Sequence, residues 1–317
     1  MSALESNPVK KKLREKKHFT TANSTPSLAL IRKTLIFDLC TLKRIILSVF
    51  FMVLVPALIL AFTPSRVLSG DEHVVQLLGF VTWYYNFAIL FPIIIIGSTG
   101  PLISEELRSG TLLFLVSKPI TRTKIILSKF IALVVFGITV IILSLSIISL
   151  IAIMKYSFVD IGSYMGIFFL YGLIITLFFG GITMGFSSIF SRPRNVLLLP
   201  LALVIFSFLV FMMFKPLLLF AADNWYEDFL MYNFDIGYHF SNIFLWIAES
   251  FDPEILDYFG TIFWMFGIAK MDFEGDGMTY TKTNYYPPVV SFLFLIVIAG
   301  IMITIGVISL KKRDISG

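Results

Sequence analysis

The chain has 317 residues, of which 57% are hydrophobic and only 14% charged, and its formal net charge is +5. Soluble domains are about 45–50% apolar and about 25% charged, so this composition excludes an ordinary soluble globular protein. The single cysteine, Cys40, excludes an internal disulfide and any cysteine-based metal site.

The first 44 residues precede any long apolar stretch. Residues 1–24 are rich in lysine and predict a basic cytoplasmic tail. Thr25 and Pro26 then provide an N-cap and a proline at the first helical position, where its missing N–H costs nothing. Apolar residues follow at helical spacing, so residues 25–44 predict an amphipathic interfacial helix. The alternative is a plain cytoplasmic extension of the first membrane span.

Six long stretches contain no charged residue, and each has about the 20 residues that a helix needs to cross a bilayer. No Asp, Lys or Arg inside a stretch opposes its insertion. Residues 45–310 therefore predict a six-span domain, and the chain is expected to be an all-α membrane protein of six transmembrane helices. The stretches are Ile45–Ser65, Val74–Ser104, Phe130–Met154, Ile161–Ser191, Asn195–Phe214 and Thr283–Leu310.

Basic residues are distributed unevenly across these predicted spans. Of the 25 Lys and Arg residues, 20 lie before the first span, between spans two and three, between spans four and five, or after span six. Cytoplasmic loops carry this excess, so both termini, including residues 311–317, are predicted in the cytoplasm and the chain in the cell membrane. The net positive charge is thus a topology signal, and no nucleic-acid partner is predicted.

Two connections are unusual. The inner loop, residues 101–124, combines apolar residues with an (i, i+3) pair of Glu105 and Arg108, and Gly110 is expected inside its helix. This combination predicts a docking surface for a soluble partner, or alternatively an interfacial linker. The outer loop, residues 215–282, holds two apolar runs too short to cross a bilayer. It predicts a helical cap, with a pair of extra spans as the alternative.

Other features bear on helix contacts and on chemistry. Gly181 and Gly185 form a small-xxx-small pattern, which serves close packing within the chain or between two copies. The three histidines (His18, His73, His239) lie outside the predicted spans. The chain has no phosphate-binding G-x-x-x-x-G-K-[ST] loop. We therefore expect no catalytic, cofactor-binding or metal-binding residue, and no enzyme activity of the chain alone.

One run of the inner loop resembles a known family. Glu105-Glu106 followed by Ser109-Gly110-Thr111-Leu112, the run 115–122, and Lys129 opening the third span resemble the ABC type-2 permeases, the membrane subunits of ATP-binding-cassette exporters. The resemblance implies an exporter permease driven by a separate ATPase subunit, which would bind ATP and magnesium. It also implies a second copy or a related permease chain as partner in the lipid bilayer. The alternative is a non-transporting membrane anchor or scaffold.

The same resemblance implies that the inner loop couples the spans to the ATPase. The residues expected to do so are Glu105, Glu106, Arg108, Gly110, Thr111, Leu112, Ser117, Lys118, Pro119 and Arg122. Apolar side chains such as Leu112 would fill a groove of the ATPase, and Glu106 and Arg108 would set its orientation.

Overall fold

A computed structural model describes residues 26–63, 71–112, 120–156, 160–221, 225–251, 255–274 and 277–313. Six helices in this part of the chain are long and apolar enough to cross a membrane, which confirms the prediction of a six-span all-α protein. Spans one to six are Leu42–Phe62, Gln76–Arg108, Arg122–Tyr156, Ile161–Ile189, Pro193–Leu217 and Pro288–Lys312.

Three of these spans contain π-helical turns, and in spans one and two the π-helical stretch ends just before a proline, Pro56 and Pro92. A proline inside a helix removes one backbone hydrogen bond, and helices adjust locally around the gap. In span one, Pro56 cannot donate to the Met52 carbonyl. That carbonyl instead accepts hydrogen bonds from Asn86 Nδ2 (3.3 Å) and Ser144 Oγ (2.9 Å), which ties spans one, two and three together.

The helical pieces of the three spans follow in chain order. Span one consists of Leu42–Val49, Phe50–Leu54 and Val55–Phe62, with the middle piece π-helical. The helix of span two begins before the span itself and comprises Asp71–Gly79, π-helical Phe80–Leu90, Phe91–Thr99 and Pro101–Arg108. Span five comprises Pro193–Ile205, π-helical Phe206–Val210 and Phe211–Ala221.

The N-terminal helix runs over Pro26–Lys33 and continues as π-helical turns over Thr34–Leu39. It ends at Leu39, before the predicted boundary at residue 44, because Thr41 has an extended backbone (φ −70°, ψ 144°) and span one starts directly after it. The helix packs against span three.

Spans four and six form a close contact at their glycines. A Cβ atom at Gly185 would lie 2.4 Å from the backbone oxygen of Met302, and one at Gly181 would lie 2.9 Å from the Cβ of Ala299. A Cβ atom at Gly306 would in turn lie 3.0 Å from the Cα of Gly185. The small-xxx-small pattern could serve close packing within the chain or between two copies, and the structure contains the contact within the chain.

The segment between spans five and six is mostly helical. Its helices are Trp225–Asp228, the 3-10 turn Met231–Asn233, Ile236–Glu249 and Ile255–Met265. An antiparallel hairpin of Ala269–Glu274 and Gly277–Lys282 follows, with Ala269 opposite Lys282. The prediction of a wholly helical loop is therefore wrong for the hairpin.

The helix Ile236–Glu249 does not lie on the surface as a cap. Tyr238, Phe240 and Phe244 are buried, and the ring of Phe244 stacks on Trp83 of span two at a centroid distance of 4.7 Å. The helix also packs against spans four and six. This helix therefore forms part of the core of the helix bundle, although it is too short to be a membrane span.

Candidate coupling site

The predicted inner loop begins as a continuation of span two. Its helix, Pro101–Arg108, is anchored by Ser187 of span four. The Ser187 hydroxyl accepts hydrogen bonds from the N–H groups of Ile103 and Ser104, both at 3.1 Å, and donates to the Gly100 carbonyl at 2.7 Å. A buried side chain thus takes the place of helical backbone partners beside Pro101 and joins this helix to span four.

Glu106 points inward and ties the helix to span three. Its carboxylate lies 2.8 Å from Lys129 Nζ, and the Lys129 side chain is fully buried. Lys129 also donates to the Leu102 carbonyl at 2.5 Å. Lys33 of the N-terminal helix approaches Glu106 to 4.0 Å. One carboxylate therefore connects three helices.

Glu105 and Arg108 form the outward face of the same helix. They pair at 2.9 Å, and 47% and 61% of their side-chain surfaces are exposed. Ser109 follows and hydrogen-bonds through Oγ to the Glu105 carbonyl at 2.8 Å and to Thr111 at 2.9 Å. These groups form a short polar surface at the end of span two.

Gly110 lies outside the helix, so the expectation that it stands inside one is wrong. The helix ends at Arg108, and Gly110 has a φ of +72°, which only glycine adopts without strain. An added Cβ at Gly110 would meet nothing within 4 Å. The requirement for glycine here comes from the backbone and not from a close contact.

Four more of the predicted coupling residues lie between Gly110 and span three. Leu112 is completely buried. Ser117, Lys118 and Pro119 lie outside the described residues.

Arg122 lies at the start of span three and clamps the end of span six. Its Nη1 donates to the carbonyls of Leu310 (2.5 Å), Lys311 (3.0 Å) and Arg313 (2.9 Å). A guanidinium at a helix C-terminus satisfies carbonyls that have no partner within the helix. The candidate site is thereby connected to span six, which the sequence did not predict.

Two residues of this arrangement were missed by sequence reasoning. Lys129 was placed at the edge of an apolar stretch, where a lysine normally reaches the aqueous boundary. Ser187 gave no signal, because a serine in an apolar helix usually bonds its own backbone. In the part of the chain that the structure describes, no group of His, Cys, Asp and Glu side chains is placed to hold a metal ion.

Comparison with known proteins agrees with this architecture. A model of the family described as ABC-2 family transporter protein matches residues 29–315. Among curated proteins, a search finds no significant match. Because the match spans the N-terminal helix, all six spans and the candidate site, the chain belongs to the ABC-2 transporter family and is a multi-pass membrane permease component of an ABC-type transporter.

Proposed function

We propose that this chain is the permease of an exporter and that a separate ATPase subunit docks on the surface formed by Glu105, Arg108, Ser109 and Thr111. One observation carries the proposal. This surface is the exposed end of a helix that is continuous with span two and is held to spans three and four by buried polar contacts. A force applied there moves several spans together.

The division of labour follows from the chemistry of the chain. ATP and magnesium bind to the ATPase subunit, because the chain has no phosphate-binding loop of its own. Hydrolysis is therefore a property of the complex. A second copy of this chain, or a related permease, completes the pathway, as in the family that the sequence resembles. The plasma membrane is the location, with both termini in the cytoplasm.

Docking can be tested with a charge swap on the exposed face. The double variant Glu105→Arg/Arg108→Glu keeps the (i, i+3) attraction within the helix and reverses the charges that a partner meets. We expect the tagged variant to recover at least about tenfold less ATPase subunit in copurification, a loss of about 1.4 kcal/mol. Its thermal stability should match that of the natural chain.

Glu106 is unsuitable for this test, because reversing it breaks the internal pair with Lys129. A matched control is Glu249→Lys/Lys282→Glu, which swaps another ion pair (2.6 Å) that is far from the proposed surface. The control should keep the ATPase. Undiminished recovery of the ATPase with the Glu105/Arg108 swap would refute docking at this surface, and failure of the natural chain to bring down any ATPase would favour a scaffold.

Topology and direction need separate measurements. After Cys40 is replaced by serine, a cysteine at Ser2 or Gly317 should react with an impermeant thiol reagent only from the cytoplasmic side, and one at Asp252 only from outside. Reaction of both termini from outside would show that the topology is the reverse of the predicted one. ATP-dependent uptake of cargo into inside-out vesicles that contain the complex would establish export.

A further inference from the structure

Three chain segments meet at one junction at the end of the bundle that carries the candidate coupling site. They are the start of span three, the turn between spans four and five, and the end of span six. Arg122 binds the last carbonyls of span six, and Arg313 Nη2 donates to Ser191 Oγ at 2.6 Å. Two arginine clamps therefore fix the relative position of three helix ends.

The two arginine clamps bring basic side chains of the three segments together at the junction. Besides the two half-buried arginines of the clamps, the junction carries five exposed basic side chains, at Lys124, Arg192, Arg194, Lys311 and Lys312. Among the ion pairs of the described residues, none involves any of these seven cations. Arg313 Nη1 is covered and has no hydrogen-bond acceptor within that part of the chain. Within the described residues, the positive charge of the junction is thus not compensated by an ion pair.

The helix ends add to this potential. Spans three and five both begin here, at Arg122 and Pro193, and helix N-termini present free N–H groups and a partial positive charge. Span six ends here with the opposite polarity, but the Arg122 guanidinium occupies its last carbonyls. An anion at the junction therefore meets helix N-termini and cations, while the unfavourable helix end is already neutralised.

We infer that this junction binds the phosphate of an anionic phospholipid. Leu310, the last apolar residue of span six, is buried, and Lys311 and Lys312 follow it directly, so the cations stand where an apolar span gives way to lipid headgroups. Basic clusters at this depth recognise anionic lipids, and basic pockets between spans bind their headgroups. The cations lie at the depth of lipid headgroups, whereas a soluble protein partner would contact residues further out in the aqueous phase. Their location therefore favours a lipid as the ligand.

The site can be tested by native mass spectrometry of the full chain in detergent, titrated separately with phosphatidylglycerol and phosphatidylcholine. The natural chain should retain phosphatidylglycerol preferentially. The variant Lys311→Gln/Lys312→Gln should bind it at least about fivefold more weakly, because each basic residue near an anionic surface contributes about that factor. Ser191→Ala, which removes one clamp without changing any charge, should also weaken binding several-fold.

The control is Arg32→Gln/Lys43→Gln, which removes two exposed positive charges of the N-terminal region that do not belong to the three segments of the junction. It should change phosphatidylglycerol binding less than about twofold. An equal loss in this control, or an unchanged affinity in the Lys311/Lys312 variant, would overturn the site. Displacement of the lipid by an equal concentration of inorganic phosphate would show a free-phosphate site. Loss of ATPase recovery with lipid binding intact would show a protein contact.

Discussion

Two buried lysines, one at each end of the bundle, pair with carboxylates in different surroundings. Lys129 lies at the coupling end and Lys215 at the opposite end, and their side chains are 0% and 1% exposed. Their partners differ, since Glu106 keeps 15% of its side-chain surface exposed and Asp235 only 1%. The pair of Lys129 and Glu106 therefore borders water, whereas the pair of Lys215 and Asp235 is sealed, that is, buried on both sides of the contact.

The sealed pair is enclosed on all sides. Lys215 Nζ contacts Asp235 and donates to the Phe266 carbonyl at 2.8 Å. The rings of Phe211, Tyr226 and Phe266 surround it at centroid distances of 5.0 to 5.9 Å. Tyr226 donates its hydroxyl to Asp235 at 2.7 Å, and burial raises the pKa of that phenol well above its usual value. The phenol therefore remains a donor across the physiological range.

The difference in burial assigns different roles to the two pairs. A fully buried ion pair holds its elements in place, and the protein loses several kcal/mol of stability when only one partner is removed. Lys215 and Asp235 accordingly fix the end of span five to the start of helix Ile236–Glu249. The pair of Lys129 and Glu106 has access to water and to Lys33, so it can rearrange at lower cost when the coupling surface moves.

The largest effect on the free energy of unfolding is expected from Lys215→Met. This substitution leaves Asp235 buried without a counter-charge, and the loss of one partner of such a pair costs about 3–5 kcal/mol. Thermal unfolding of the purified chain in detergent should show a clearly lower melting temperature than that of the natural protein. Aggregation at this end of the bundle should also begin earlier on heating.

The double variant Lys215→Met/Asp235→Asn supplies the control. It removes both charges and leaves an amide oxygen that accepts from Tyr226, so most of the lost stability should return. A double variant no more stable than Lys215→Met would mean that the aromatic surroundings, and not the unpaired charge, determine the cost.

A smaller effect on stability is expected from Lys129→Met. Glu106 can turn toward solvent and toward Lys33, so the cost should be about 1–3 kcal/mol and below that of Lys215→Met. The variant should uncouple the complex, because the helix that carries Glu105 and Arg108 loses its tie to span three. ATP hydrolysis should continue while transport per ATP falls.

Lys43→Met is the matched control for Lys129→Met, because Lys43 is an exposed lysine in span one. It should change neither stability nor coupling measurably. If Lys129→Met destabilises the chain as strongly as Lys215→Met, water access does not moderate the cost. If coupling is unchanged, the tie to span three transmits no force.

These ion pairs also illustrate which features of the structure could be predicted from the sequence and which could not. The six spans were predictable, because length and freedom from charge determine insertion without any knowledge of packing. The exposed pair of Glu105 and Arg108 was predictable for a similar reason, since (i, i+3) spacing is local. Burial of Lys129 and Lys215 was not, because it depends on carboxylates and carbonyls that distant segments bring close.

The same reasoning applies to features of the structure that differ from the predictions. Helix Pro101–Arg108 ends before Gly110, whose positive φ is a backbone conformation that apolar periodicity does not report. The hairpin had a local sequence signal, since the two residues Gly275-Asp276 between alternating residues are typical of a β-hairpin turn. Leu112 is buried through packing that no local pattern encodes.

The smallest effect on stability is expected at a third pair, which is partly exposed and extends the comparison. Glu227 lies 2.7 Å from Lys270 Nζ, and the two side chains are 36% and 54% exposed. Its carboxylate also accepts from Tyr285 Oη at 2.8 Å. The hydrogen bonds from Lys270 and Tyr285 lower the pKa of Glu227 below its ordinary value of 4.5. An exposed pair of this kind contributes less than about 1 kcal/mol.

The sign of its pH dependence follows from that lowered pKa. The contribution of Glu227 to the free energy of unfolding is complete above 4.5, the ordinary value, and is lost as the pH falls through the lower value of the folded state. Glu227→Gln should therefore reduce the fall in melting temperature between about pH 5 and about pH 3, and change stability little at neutral pH. Asp228→Asn, at the exposed neighbouring position, should leave a steeper fall than Glu227→Gln does. If Glu227→Gln costs as much at neutral pH as Lys129→Met, burial does not set the order of the three pairs, because an exposed pair would then equal one whose lysine is fully buried.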